Sequence, residues 1–117
     1  VSATLEVLKR ARELIKIGWT QRVYNRNVMG VECFCAEGAI YKALSEKNAA
    51  TGESEACQNA FRLITRNLPR HFQHDGRSSI INFNDDLETD QASVLAVFDA
   101  AIASAESDGK EGQQPNG

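Results

Sequence analysis

Cys33-Phe34-Cys35-Ala36-Glu37-Gly38-Ala39-Ile40 is a cysteine-bearing entry into an alanine-rich helix, and its reading decides the fold. Ala36, Ala39, Ile40, Ala43 and Leu44 recur at helical spacing, which predicts a helix over residues 34–46 that buries this face. Gly38 falls in its first turns, where glycine costs about 1 kcal/mol relative to alanine unless something closes in on the backbone. With Ala39 beside it, Gly38 predicts a close helix crossing.

Upstream, residues 20–32 read as a long loop, because 21–27 is polar and Met29-Gly30 breaks any regular pattern. Before that loop, Leu5, Leu8, Ala11 and Ile15 share one face of a helix over 5–17, with Thr4 available as its cap. Gly18 can end it in a left-handed conformation. Lys9, Arg10, Arg12 and Lys16 make the remaining surface of this helix basic. Trp19 follows directly and is expected to fold back over the helix end as a core anchor, since truncating a buried indole costs roughly 3–5 kcal/mol.

Downstream, 48–53 is a loop containing Gly52, and Ser54 can cap a third helix reaching about residue 67. Its inward face holds Cys57, Ala60, Phe61, Ile64 and Leu68, and Pro69 ends it. Residues 70–79 mix charge, histidine and Gly76 and read as loop rather than a fifth helix, while 79–83 suits a short extended segment. Thr89 is the expected cap of the fourth helix, with Asp90 where negative charge favours the amide end. Val94, Leu95, Val97, Phe98, Ala101, Ile102 and Ala105 form its broad apolar stripe. The expected fold is therefore all-α, a compact bundle of four main helices with long irregular connections and room for one short extended segment. Residues 1–106 make a single helical domain, and 107–117 lack any core anchor and read as a disordered acidic and polar tail.

A chain of 117 residues with 42% hydrophobic residues supports one modest core and no second. The net charge is −3, but it is unevenly spread. Residues 1–82 carry twelve basic and eight acidic side chains, a balance of +4, whereas 83–117 carry one and eight, a balance of −7. Such asymmetry can steer a partner, although helix dipoles and solubility account for much of it. Cys33, Cys35 and Cys57 are neither an even set nor dense enough for a disulfide-stapled secreted domain, so a reduced, cytoplasmic chain is the simpler reading. No apolar stretch approaches a membrane span, and the start lacks the basic-then-apolar order of an export signal.

Several motifs together carry a resemblance. Leu14-Ile15 with Gly18-Trp19-Thr20-Gln21, then Cys35-Ala36-Glu37-Gly38-Ala39-Ile40, then Phe83-Asn84-Asp85 ahead of Thr89 and Val94 resemble a bacterial family of unknown function, domain-of-unknown-function family 6197. The likeness covers most of residues 5–102. Its shared pattern is a helix ending near Gly-Trp, a Cys-x-x-Gly-Ala helix start, and a Trp-Asn-Asp segment before the last helix. Phe83 stands where the family usually has Trp, which keeps an aromatic anchor and removes a donor. The resemblance implies a common architecture and brings no activity, substrate or partner with it.

The polar residues admit three readings. In the first, Trp19, Gly38, Phe83, Asn84 and Asp85 are structural, with Asn84 and Asp85 bonding backbone groups as a latch before the last helix. The chain is then a non-catalytic interaction or regulatory protein without cofactor, and Arg62, Arg66, Arg70 and Arg77 with Phe72 offer a basic patch for a protein partner. In the second, Cys35 at a helix N-terminus is a lowered-pKa nucleophile of a hydrolase, with His71 or His74 as base and Asn84 or Asp85 orienting it. No recognised nucleophile motif surrounds Cys35, so an enzyme is disfavoured. In the third, Cys33, Cys35, His71 and His74 bind zinc and staple a binding module, although their spacings are shorter than the usual ligand intervals. Net acidity and the lack of a clear recognition helix argue against nucleic acid, and no phosphate-binding glycine loop is present.

Overall fold

In a computed structural model, which describes residues 3–47 and 54–112, the centre of the molecule is α1, Ala3–Ile17. Its stripe Leu5, Leu8, Ala11 and Ile15, widened by Val7 and Leu14, is buried. α2 (Ala36–Glu46) and α5 (Gln91–Gly112) pack against α1, and α3 (Glu55–Arg66) touches both α1 and α5. Phe98, Ile40, Ile64 and Val94 meet α1 in a shared interior. Thr4, expected as the cap of α1, lies inside the helix and is buried.

The four-helix expectation is corrected in two places. The first is the stretch 20–32, expected as loop. It contributes most of an antiparallel hairpin, β1 (Asn25–Val28) with β2 (Val31–Phe34), in which Val28 faces Val31 and Asn25 faces Phe34. Met29 and Gly30 form its two-residue connection, both at positive φ (51° and 88°) as tight hairpin turns of the primed kind require. Asn27 Oδ1 accepts the Gly30 N–H at 3.0 Å and braces the turn. Phe34 N–H donates to Gly18 O and Thr20 N–H to Phe34 O, joining the hairpin to the chain leaving α1. Gly18 does not adopt the left-handed conformation expected of it. It is needed for space, because a Cβ there would lie 2.7 Å from Cys33 Sγ.

The second correction is a fifth helix. Residues 79–83, expected as extended, open α4 (Ser79–Asp85), which follows single 3-10 turns at Arg70–Phe72 and Gly76–Ser78. The β-branched pair Ile80-Ile81 suggests a strand, but among the described residues no strand pairs with it. Winding instead places Ile80, Phe83 and Asn84 on one buried face. α5 is capped by Asp90 rather than Thr89: Asp90 Oδ1 accepts the Ser93 N–H at 2.8 Å and its carbonyl accepts that of Val94. The helix runs on past Ala105 to Gly112. The expected loop 48–53 and residues 113–117 of the expected tail lie outside the described residues.

Part of the charge asymmetry is matched within the molecule. On α1, Lys9 faces Glu106 at 3.8 Å and Arg12 pairs with Asp99, both on α5. Arg10 pairs with Glu46 of α2 at 2.7 Å, and Lys47 reaches back to Glu6 at 2.6 Å. Exposed pairs of this kind add little stability. They do mean that the basic surface of α1 is largely engaged by the acidic surfaces of its neighbours.

Candidate functional site

At the end of α4 the helical register turns Asn84 inward, to 1% exposure. Its Oδ1 accepts the Trp19 indole N–H at 2.8 Å and the Ala36 N–H at 3.0 Å. Its Nδ2 donates to Thr20 O at 3.1 Å and to Asp85 Oδ1 at 3.0 Å. Every usual side-chain bonding position of the amide is thereby used. Around it, Gln21 Nε2 donates to the carbonyls of Asn84 and Asp86, and Arg22 N–H donates to Asp85 Oδ1 at 2.8 Å. One buried amide ties the exit of α1, the start of α2 and the end of α4.

Cys35 is the N-cap of α2, with extended backbone and 6% exposure. Its Sγ accepts the N–H of Gly38 at 3.3 Å. Ala39 N–H goes to Cys35 O and Ala36 N–H to Asn84, so three of the first four amides of α2 are satisfied inside the chain. This helix start is consequently not an open anion site. Gly38 serves a close approach, but of the hairpin's lead-in rather than another helix: a Cβ there would lie 2.1 Å from Tyr24 O. The same carbonyl accepts the Cys35 N–H at 3.0 Å.

Beside this junction lies a cavity of about 230 Å³, with Val23, Tyr24 and Ile81 as apolar walls and Arg22, Cys35, Glu37, Asn84 and Asp85 supplying polar groups. Glu37 is only 8% exposed, and burial raises its carboxyl above the ordinary range. Burial likewise pushes the Cys35 thiol up, against the opposing pull of the Gly38 and Glu37 amides, and nearby Glu37 and Asp85 push it further the same way. This direction is opposite to the lowering that a nucleophilic role requires. Alkylation of native Cys35, followed by peptide mass spectrometry, is accordingly expected to be slow at pH 7 and to accelerate only above the ordinary thiol pKa of about 8.5. Rapid modification at neutral pH would contradict the assignment of Cys35 as an inert cap.

The structure brings Cys35, Asn84 and Asp85 to one cavity and leaves both histidines outside it. His71 is exposed, lies against Phe72 with ring centres 4.1 Å apart, and lines a separate hollow with Pro69, Phe83 and Asp86. His74 is exposed on the turn that follows. Cys33 is buried against Gly18, and among the described residues no three Cys, His, Asp or Glu side chains are placed to hold a metal ion. Arg62, Arg66 and Arg70 are exposed, but Phe72 is packed edge-on against Phe83 in the core and presents no surface anchor. The Arg77 side chain lies outside the described residues.

Glu37 is the residue that sequence reasoning passed over. Its spacing to Ile40 and Leu44 puts it on the buried side of α2, a signal present in the same periodicity that picked out Ala36, Ala39 and Ile40.

The chain belongs to DUF6197, a family of unknown function, whose profile matches residues 2–104. Comparison with curated proteins and with solved structures gave no match. Among the described residues, no helix is long and apolar enough to cross a membrane.

Proposed function

We propose that this member of DUF6197 is a small non-catalytic interaction protein that engages another protein through its hairpin. The observation that carries the reading is Met29, which is 98% exposed at the hairpin tip and held at a φ of 51°. Asn or Gly would occupy that turn position with less strain. Local backbone preference and solvation thus both disfavour methionine here, which is the pattern of a residue kept for contact. Val28 and Val31 stand opposite each other beside it, and Val23 and Tyr24 continue the exposed apolar surface toward the body. The capped, buried Cys35 supports a role without thiol chemistry. The internal matching of the basic side chains of α1 supports a protein partner over a nucleic acid. Three buried thiols without disulfides support a reducing, cytoplasmic setting.

Met29→Asn tests this directly, because fold and function respond in opposite directions. Relief at the turn is expected to raise unfolding stability by roughly 0.5–1 kcal/mol. A photo-crosslinking side chain at position 31 is expected to yield one discrete adduct in the producing cells. Binding of the identified partner, repeated with purified components, should fall sharply in Met29→Asn. A variant that is more stable and binds that partner as tightly as the parent would refute the proposal, as would the absence of a discrete adduct.

A further inference from the structure

We propose that the cavity bounded by the hairpin lead-in, α2 and α4 binds a small organic cation, an alkylammonium group held by Glu37 with its alkyl part against Val23, Tyr24 and Ile81. Two observations carry this independently. There is an occupiable space of about 230 Å³, smaller than the usual range for drug-sized ligands of about 300–1,000 Å³. Facing it is Glu37, a residue 8% exposed whose carboxylate opens on this space and makes no hydrogen bond or ion pair among the described residues. A carboxylate drawn largely out of water on a cavity wall, with no partner from the chain, is matched by a cationic donor that enters the cavity.

The chemistry of the walls selects the charge. An anion would meet the carboxylates of Glu37 and Asp85, and the Ala36 and Gly38 amides of α2 are already bonded to Asn84 and Cys35. Asp85 commits Oδ1 to the Arg22 and Asn84 N–H groups, and its Oδ2 has no hydrogen-bond partner among the described residues. Glu37 and Asp85 both line the cavity, and their uncommitted oxygens are acceptors suited to the donors of an ammonium group. Arg22 also lines the cavity but, among the described residues, forms no ion pair with either carboxylate. A hard metal ion is a poorer fit, because it demands six or more oxygens and half of this wall is apolar or thiol.

Occupancy should be coupled to proton release. Burial holds the Glu37 carboxyl up, and an ammonium ion needs the carboxylate, so affinity should rise as pH climbs through the raised titration of Glu37. The groups around it are Cys35 at the cap, Tyr41 on α2, Cys57 on α3, Asp85 on α4, and Arg22 and Tyr24 ahead of the hairpin.

The test is an NMR titration of the full chain at pH 7.5 with n-butylammonium, n-butanol and n-butyrate. Butylammonium is expected to shift the amides of Arg22, Tyr24, Glu37 and Asp85 saturably, with a Kd on the order of millimolar for so small a ligand. The alcohol and the carboxylate should leave them in place. Glu37→Gln, which keeps the shape and loses no hydrogen bond, should weaken binding by roughly tenfold or more, the effect of removing a charge-assisted contact. Ile81→Trp should block binding by filling the space. Met29→Asn should bind butylammonium as the parent does, which separates this site from the hairpin surface. Equal shifts from butanol, undiminished binding by Glu37→Gln, or no saturation by butylammonium would each overturn the proposal.

Discussion

Asn84→Ala is expected to destabilise the chain by about 3 kcal/mol or more in urea unfolding, read by Trp19 fluorescence and by circular dichroism. The alanine side chain satisfies none of the groups that Asn84 serves. The Trp19 indole N–H and the Ala36 N–H lose their acceptor, and Thr20 O loses a donor. Each buried group left unpaired costs about 1–3 kcal/mol, and the cavity left by the amide adds to it. Asn84→Asp sharpens the result. It keeps an acceptor for Trp19 and Ala36 but turns its second oxygen toward Thr20 O and the Asp85 carboxylate, and should also be strongly destabilising. Trp19→Phe alone should cost less, and the double variant with Asn84→Ala should fall short of the sum, because the two share one hydrogen bond. A loss below about 1 kcal/mol for Asn84→Ala would show that the junction is held by something else.

Gly38→Ala should lower stability by at least about 2 kcal/mol, although in an exposed helix the same change would raise it by about 1 kcal/mol. The sign reverses because the new methyl group would sit 2.1 Å from Tyr24 O, a backbone atom that cannot rotate away. Relief requires the lead-in to the hairpin to move off α2, which would stretch the Cys35 N–H bond to the same carbonyl. The expected signature is loss of protection from hydrogen exchange at Cys35 and along the hairpin while α1 and α5 stay protected. A stability gain would mean that α2 and the hairpin are not in close contact.

These two positions also mark how far the sequence can be read. The stripes of α1, α3 and α5 follow from periodicity because each buries one side against a single interior. The hairpin gave no such signal: all four residues of β1 are exposed, so nothing alternates, and Met29-Gly30 replaces the Asn-Gly pair that marks such turns. α4 was obscured by its brevity and by Ile80-Ile81, whose β-branched chains favour a strand wherever a neighbour exists to pair with it. The motif residues themselves stood out. Their partners did not, because Asn84 meets residues 48 to 65 positions away and no local pattern records a contact of that range. Gly38 announced that something approaches closely, while only the folded chain shows it to be the backbone of Tyr24. Cys35 invited a catalytic reading from its helix position alone, and burial reversed the direction of its titration.

The pairing of α1 with α5 sets a schedule for synthesis. α1 leaves the ribosome before the other described helices and is the one the rest of the core is built on, and α5, which begins at Gln91, packs against it. Until that late segment emerges, part of the apolar surface of α1 remains unshielded on the nascent chain. Closing so long a loop delays the reward for every earlier contact. Translation should therefore yield a cooperative product only after the fifth helix is released, and chains halted before it should be the species that chaperones hold and proteases remove.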